Sequence, residues 1–185
     1  MKRFATVLTA TMVMLIGSAY TIQAIINWKI NSEKAMVKFS MNAHGQELIG
    51  NFKGAKGDIK FDENDLANSS INCTIDISTI NTGIEARDGH LQKKGFFDAV
   101  TFPTGKFTST KIEKTSTGYN ATGNFTLKQT TKSITIPFTY DDNGNEGNFK
   151  GSFTIKRSDY GIGQPDEDIG DDVTISLDIP VVKGN

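Results

Sequence analysis

From Trp28 onward, apolar and polar residues alternate with a period of two, the pattern of strands that bury one face and solvate the other. Ala35, Val37, Phe39 and Met41 form the first clear series, and Asn42 to Gly45 supplies a turn into Leu48, Gly50 and Phe52. Across Gly54 to Gly57 the phase shifts to Ile59 and Phe61, so a bulge or bend is expected at the glycines. Further series follow at Ile71, Cys73, Ile75 and Ile77, at Tyr119 to Leu127, at Ile134 to Tyr140, at Phe149 to Ile155 and at Val173 to Ile179. A strand is also expected around Lys106 to Lys111. Short turns at Lys114 to Gly118 and Asp141 to Gly147 make sequential strands antiparallel neighbours.

One segment leaves this pattern. Thr82 followed by Glu85 has capping-box spacing, Lys93 and Lys94 suit a last helical turn, and Gly95 supplies a stop, which predicts a short helix over Ile84 to Lys94. The expected fold is therefore all-β and antiparallel, about eight strands with one short helix. Closure into a β-barrel would remove exposed edges, and a sandwich is the alternative architecture. In a barrel the apolar phase points inward, which makes Phe39, Phe52, Ile75, Phe125, Leu127, Ile136, Phe138, Phe153, Ile175 and Leu177 the candidate cavity lining. Gly50, Ala121, Gly123 and Gly151 share that phase and are expected to make room or permit curvature; periodicity leaves a filled and a ligand-holding interior equally open.

The first residues change the picture by compartment. Lys2 and Arg3 precede an apolar run from Phe4 to Ile16, with small residues at Gly17-Ser18-Ala19 and at Ala24, the order of an export signal. Residues 1–24 are expected to be a signal peptide cleaved after Ala19 or Ala24, and 25–185 to be one domain, periplasmic or secreted. Charge adds little: 20 Lys and Arg against 21 Asp and Glu give a net charge of -1 with no basic stripe, so nucleic acid is not an expected partner. The single cysteine, Cys73, cannot form an internal disulfide and reads as a buried small hydrophobe.

Candidate chemistry is sparse. Of the two histidines, His44 falls in a turn, and His90 lies beside Arg87 and Asp88 in the helical segment. Those three residues either pin the helix to the barrel or serve an enzyme acting on a lipid headgroup, and no serine or cysteine has an identifiable nucleophile context. The acidic run Asp166 to Asp168, with Asp171 and Asp172, lacks the ligand spacing of a calcium loop and reads as a solvated loop. No cofactor motif is present.

Ordered segments over most of the chain resemble the YceI-like family of exported lipid-binding proteins. They are Trp28-Lys29-Ile30 with Val37-Lys38-Phe39, then Gly50-Asn51-Phe52 leading to Gly57-Asp58-Ile59-Lys60-Phe61-Asp62, then Ser78-Thr79-Ile80-Asn81-Thr82. Arg87-Asp88-Gly89-His90-Leu91, Phe96-Phe97-Asp98 and Phe102-Pro103 follow, then Gly123-Asn124-Phe125-Thr126-Leu127 with Thr131-Lys132, and finally Arg157 to Ile162 with Ile169-Gly170-Asp171. Ala55-Lys56 stands where the family has an aromatic before the glycine, and Gln129 replaces a usual glycine. The resemblance implies a lipocalin-like barrel whose cavity holds a polyisoprenoid or an isoprenoid quinone-like amphiphile for carriage or sequestration, with no catalytic centre. The expected partner is thus a long-chain lipid or polyisoprenoid, with a homodimer left open. A filled barrel acting through protein contacts is a third reading.

The export signal makes a direct prediction: N-terminal sequencing of the exported protein should begin at Tyr20 or Ile25, and material beginning at Met1 would contradict it.

Overall fold

The structure, a computed structural model, describes residues 25–164, 166 and 168–184, so the expected signal peptide lies outside the described residues. The strands are β1 (Asn27–Ile30), β2 (Met36–Ala43), β3 (Gln46–Phe52), β4 (Lys56–Lys60) and β5 (Ser70–Asp76). After a helix α1 (Glu85–Leu91) come β6 (Thr104–Lys114), β7 (Tyr119–Leu127), β8 (Thr130–Asp142), β9 (Glu146–Lys156) and β10 (Asp172–Lys183). Short 3-10 turns occupy Ile77–Thr79 and Ser158–Tyr160.

The antiparallel sheet closes on itself in the circuit β1, β4, β5, β6, β7, β8, β9, β10 and back to β1, an eight-strand barrel. β2 and β3 form a hairpin added to this circuit. Its turn is His44-Gly45, both with positive φ, as a two-residue hairpin connection requires. The free edge of β10 is shared: its Val181–Lys183 end pairs with β1, and Thr174–Asp178 pairs with β2. On the far side β4 continues the wall into β5, whereas among the described residues the outer edge of β3 meets a single bridge, from Asn51 to Asn81. One end of the barrel is therefore continuous, and at the other end the segment from Ile77 to Pro103, including α1, fills the place between β3 and β5.

Phe61 seals the continuous end. Its ring meets those of Tyr119, Phe138, Tyr140 and Phe149 edge-on, with centroids 5.0, 5.7, 5.0 and 5.4 Å away, and Trp28 packs on Tyr140 at 5.6 Å. Edge-to-face pairs set the positive rim of one ring against the negative face of another, so this cluster adds directional attraction to its apolar burial. Tyr119 donates to the Glu63 carboxylate at 2.6 Å, and burial together with that carboxylate pushes its phenol up to about 12.

The helix is shorter than the spacing predicts, Glu85–Leu91 in place of Ile84 to Lys94, and turns carry the chain from Gln92 onward. The expected capping box does not form. Gly83, at φ +80°, breaks the chain direction, Ile84 occupies the N-cap without a side-chain bond, and the Thr82 hydroxyl binds the Asp88 carboxylate at 2.5 Å instead.

Of the two roles open to the in-phase glycines, making room or permitting curvature, two positions decide against added cavity space. The ring of Phe39 lies on Gly50, and a Cβ at Gly123 would stand 2.3 Å from the Thr108 carbonyl oxygen of β6, next to the register shift between Ser109 and Lys111. Gly123 thus permits close approach of two backbones and opens no cavity space. Gly123→Ala should lower stability by about 1–3 kcal/mol, since β6 must move. Gly89→Ala, on an exposed helix with nothing within 4 Å, should raise it by roughly 0.5–1 kcal/mol. Urea unfolding midpoints of the two variants check both signs.

Candidate functional site

Above the aromatic seal the barrel is hollow, with a cavity of about 700 Å³. All ten residues selected by strand phase, Phe39, Phe52, Ile75, Phe125, Leu127, Ile136, Phe138, Phe153, Ile175 and Leu177, border it. Alternation brings them together: successive inward positions of β10, from Val173 to Ile179, line one wall over about 20 Å at the usual strand rise. Ile75, Phe153, Ile175 and Leu177 point inward yet are only half-buried, because part of each side chain faces the open interior. The filled-barrel reading is thereby replaced by an open one.

Phase also placed Cys73 inside. It borders the cavity, and burial, assisted by the nearby Asp58 charge, pushes its thiol up to about 12. At neutral pH it is a protonated, apolar wall group and not a thiolate nucleophile.

The mouth is built by three pieces. The β2–β3 turn brings His44, whose N–H donates to the Asp168 carbonyl at 2.6 Å. Helix α1 and the turns after it bring Arg87, His90, Leu91, Phe96 and Phe97. The loop between β9 and β10 brings Ile162, Gln164, Asp166 and Ile169. Of the proposed cluster, Arg87 and Asp88 do cooperate, through Thr82: Arg87 Nε donates to the Thr82 hydroxyl at 2.8 Å and Nη2 to its carbonyl at 2.9 Å, while Asp88 accepts from the Thr82 N–H at 2.8 Å. His90 stands apart, exposed, with its ring 4.7 Å from that of Phe96. The three residues do not form one acid-base constellation.

A rim residue that phase could have revealed is Arg157, which continues the inward series Phe149, Gly151, Phe153, Ile155. Its buried guanidinium donates to four carbonyls, those of Gly170 (2.9 Å), Ile162 (3.0 Å), Gln164 (2.9 Å) and Ile169 (3.0 Å), and so shapes the loop over the mouth. Asp171 fixes the loop's return: its carboxylate accepts from the Ser158 N–H at 2.9 Å and from the Ser158 hydroxyl at 2.8 Å. These bonds, the backbone one first, hold its carboxyl below the usual carboxylate range.

A closed antiparallel barrel with a hydrocarbon interior and polar groups at its rim defines a lipocalin-like cavity protein. The YceI-like domain profile matches residues 28–181, and the chain belongs to that family. Among similar sequences, a UPF0312 protein of Yersinia enterocolitica is 33% identical over 144 residues, covering 73% of this chain and 75% of the relative. A UPF0312 protein of Yersinia pestis is 31% identical, covering 74% and 76%. Among solved structures, Burkholderia cenocepacia BcnA superposes with a TM-score of 0.76 at 29% identity, covering 82% of this chain and 98% of BcnA. A polyisoprenoid binding domain from Saccharophagus degradans shares the fold, with a TM-score of 0.66 at 13% identity over 87% of this chain and all of that one.

The loop return gives a pH prediction. A carboxyl whose folded pKa is depressed contributes stability above its unfolded value, about 3.9, and loses it as pH falls through the lower folded value. The stability gap between the parent and Asp171→Asn should therefore be largest near neutrality and shrink below about pH 4. Urea midpoints at pH 7 and pH 3 measure it; a gap unchanged by acid would contradict the assignment.

Proposed function

We propose that this protein binds one long apolar lipid inside the barrel, a polyisoprenoid or an isoprenoid quinone-like amphiphile, and carries or sequesters it in the cell envelope. The observation that carries this reading is the cavity itself: about 700 Å³ whose inward wall residues below the rim offer hydrocarbon, aromatic rings and one protonated thiol. Such a wall gains free energy by removing apolar area from water and is dominated by groups that suit a hydrocarbon tail. The description of the Saccharophagus degradans neighbour as a polyisoprenoid binding domain supports the same use of the interior.

Binding, not catalysis, is the reading the rim supports. Arg87 and Asp88 are engaged with Thr82, His90 rests on Phe96, and the Cys73 thiol is held protonated. The compartment we propose is outside the cytoplasm, periplasmic or secreted, on the strength of the Lys2-Arg3 start and the Phe4 to Ile16 run.

Organic extraction of the purified protein followed by mass spectrometry should yield a long-chain isoprenoid or related lipid. Adjacent residues on opposite faces of β10 supply the control: Leu177 points into the cavity, and Ser176 is exposed. Leu177→Glu places a carboxylate in the apolar wall, a penalty larger than the roughly 1.4 kcal/mol that equals a tenfold loss of affinity. It should retain less than about a tenth of the parent's lipid, whereas Ser176→Glu should retain about the parental amount. Equal retention by the two folded variants would place the lipid elsewhere.

A further inference from the structure

The barrel wall is interrupted along one line that the topology does not require. β8 and β9 pair in register from Asp142 opposite Gly147 to Phe138 opposite Gly151, and there the pairing stops, although β8 extends back to Thr130 and β9 on to Lys156. Continued in the same register, Thr135 would face Thr154 and Ile136 would face Phe153. The stop falls at Pro137, which has no N–H to donate, and Gly151 lies so near that a Cβ there would stand 2.8 Å from the Pro137 carbonyl oxygen.

Side chains report the same separation. The Thr135 hydroxyl pairs with Thr122 of β7 at 3.0 Å and that of Thr154 with Thr174 of β10 at 3.3 Å, so the two lips bond away from each other. What joins them near the mouth is the turn after β9. Lys132 pairs with Asp159 at 2.6 Å, and Lys128 Nζ donates to the Gly161 carbonyl at 2.6 Å. The Lys132–Asp159 pair is about 40% exposed on both partners, where solvent screens its attraction. Behind the lips, Ile136 on one side and Phe153 and Ile155 on the other border the cavity.

We propose that this seam is a lateral slot through which a chain-like ligand is taken up and released, with the Lys132–Asp159 pair as its latch. The inference rests on the reading of the cavity as a lipid site. Parting the lips breaks no β8–β9 backbone hydrogen bonds beyond Phe138, so it leaves the eight-strand circuit intact at its sealed end. The slot runs into the mouth, so a long chain can be laid in sideways without threading end-on beneath the Arg157 loop and α1.

The test uses the fluorescent eighteen-carbon chain probe cis-parinaric acid in a Cys73→Ala parent carrying Thr135→Cys and Thr154→Cys. One sample is stapled across the seam with a short bis-maleimide and the other capped with N-ethylmaleimide. Stapling should slow probe release by about tenfold or more relative to the capped protein, and Lys132→Ala with Asp159→Ala should speed release several-fold in the unstapled chain. Probe uptake with equal release rates in stapled and capped protein would overturn the slot while leaving the cavity reading intact. Absence of uptake in every variant, including the parent, would overturn the cavity reading instead. Hydrogen exchange on the unmodified protein gives an independent readout: alternate amides within Ser152–Lys156 should exchange fast while their neighbours, bonded to β10, stay protected. Uniform protection through that stretch would mean a closed seam and would also overturn the proposal.

Discussion

The architecture depends on how one strand edge is shared. β10 offers a single free edge, and β1 and β2 take it in succession, one at the Val181–Lys183 end and the other at Thr174–Asp178. Because β1 leads on to β4 and β5, the circuit closes at that end; because β2 leads only to β3, it does not close through the hairpin at the other. Backbone hydrogen bonding alone thus gives the barrel a shut end and an end that other segments must cover. The mouth and the loops that shape it sit on the side of that asymmetry where pairing is incomplete.

The two ends are stabilised by different physics. At the shut end, aromatic rings around Phe61 exclude water through dense apolar packing. At the open end the chain is irregular, so its carbonyls lack strand partners and need donors from elsewhere. Arg157 supplies them, placing one delocalised cation among four carbonyl dipoles, which lets a polar loop lie over an apolar chamber. Arg87 and Asp88 play a similar part for the chain around Thr82. Charge at the rim therefore serves construction before it serves any ligand.

Much of this was legible in the sequence because strands report their inward face every second residue. Phe125 and Leu127, or Ile175 and Leu177, could be assigned to the interior without knowing which strands are neighbours, and the lipocalin-like barrel and its family followed from ordered segments. What period two cannot express is pairing. The division of β10 between β1 and β2, and the end of β8–β9 pairing at Pro137, depend on contacts between residues far apart in the chain. Glycine stayed ambiguous for a related reason: Gly123 has the phase of a cavity residue, yet its missing Cβ makes room for the β6 backbone. At Thr82 a local motif lost to a local competitor, since the Asp88 carboxylate captures the hydroxyl that capping would have used. Arg157 was visible as a charge in an apolar phase, but its four acceptors come from a loop with no periodicity to read.

The aromatic seal around Phe61 also fixes an origin. A chain lying in a tube that is blind at one end has its tail position set by the floor, so any length beyond the tube's depth appears at the rim. Such a chamber need not reject long molecules to distinguish them from short ones. For a lipid bound as proposed above, it would convert the length of the tail into the height of the head at the mouth.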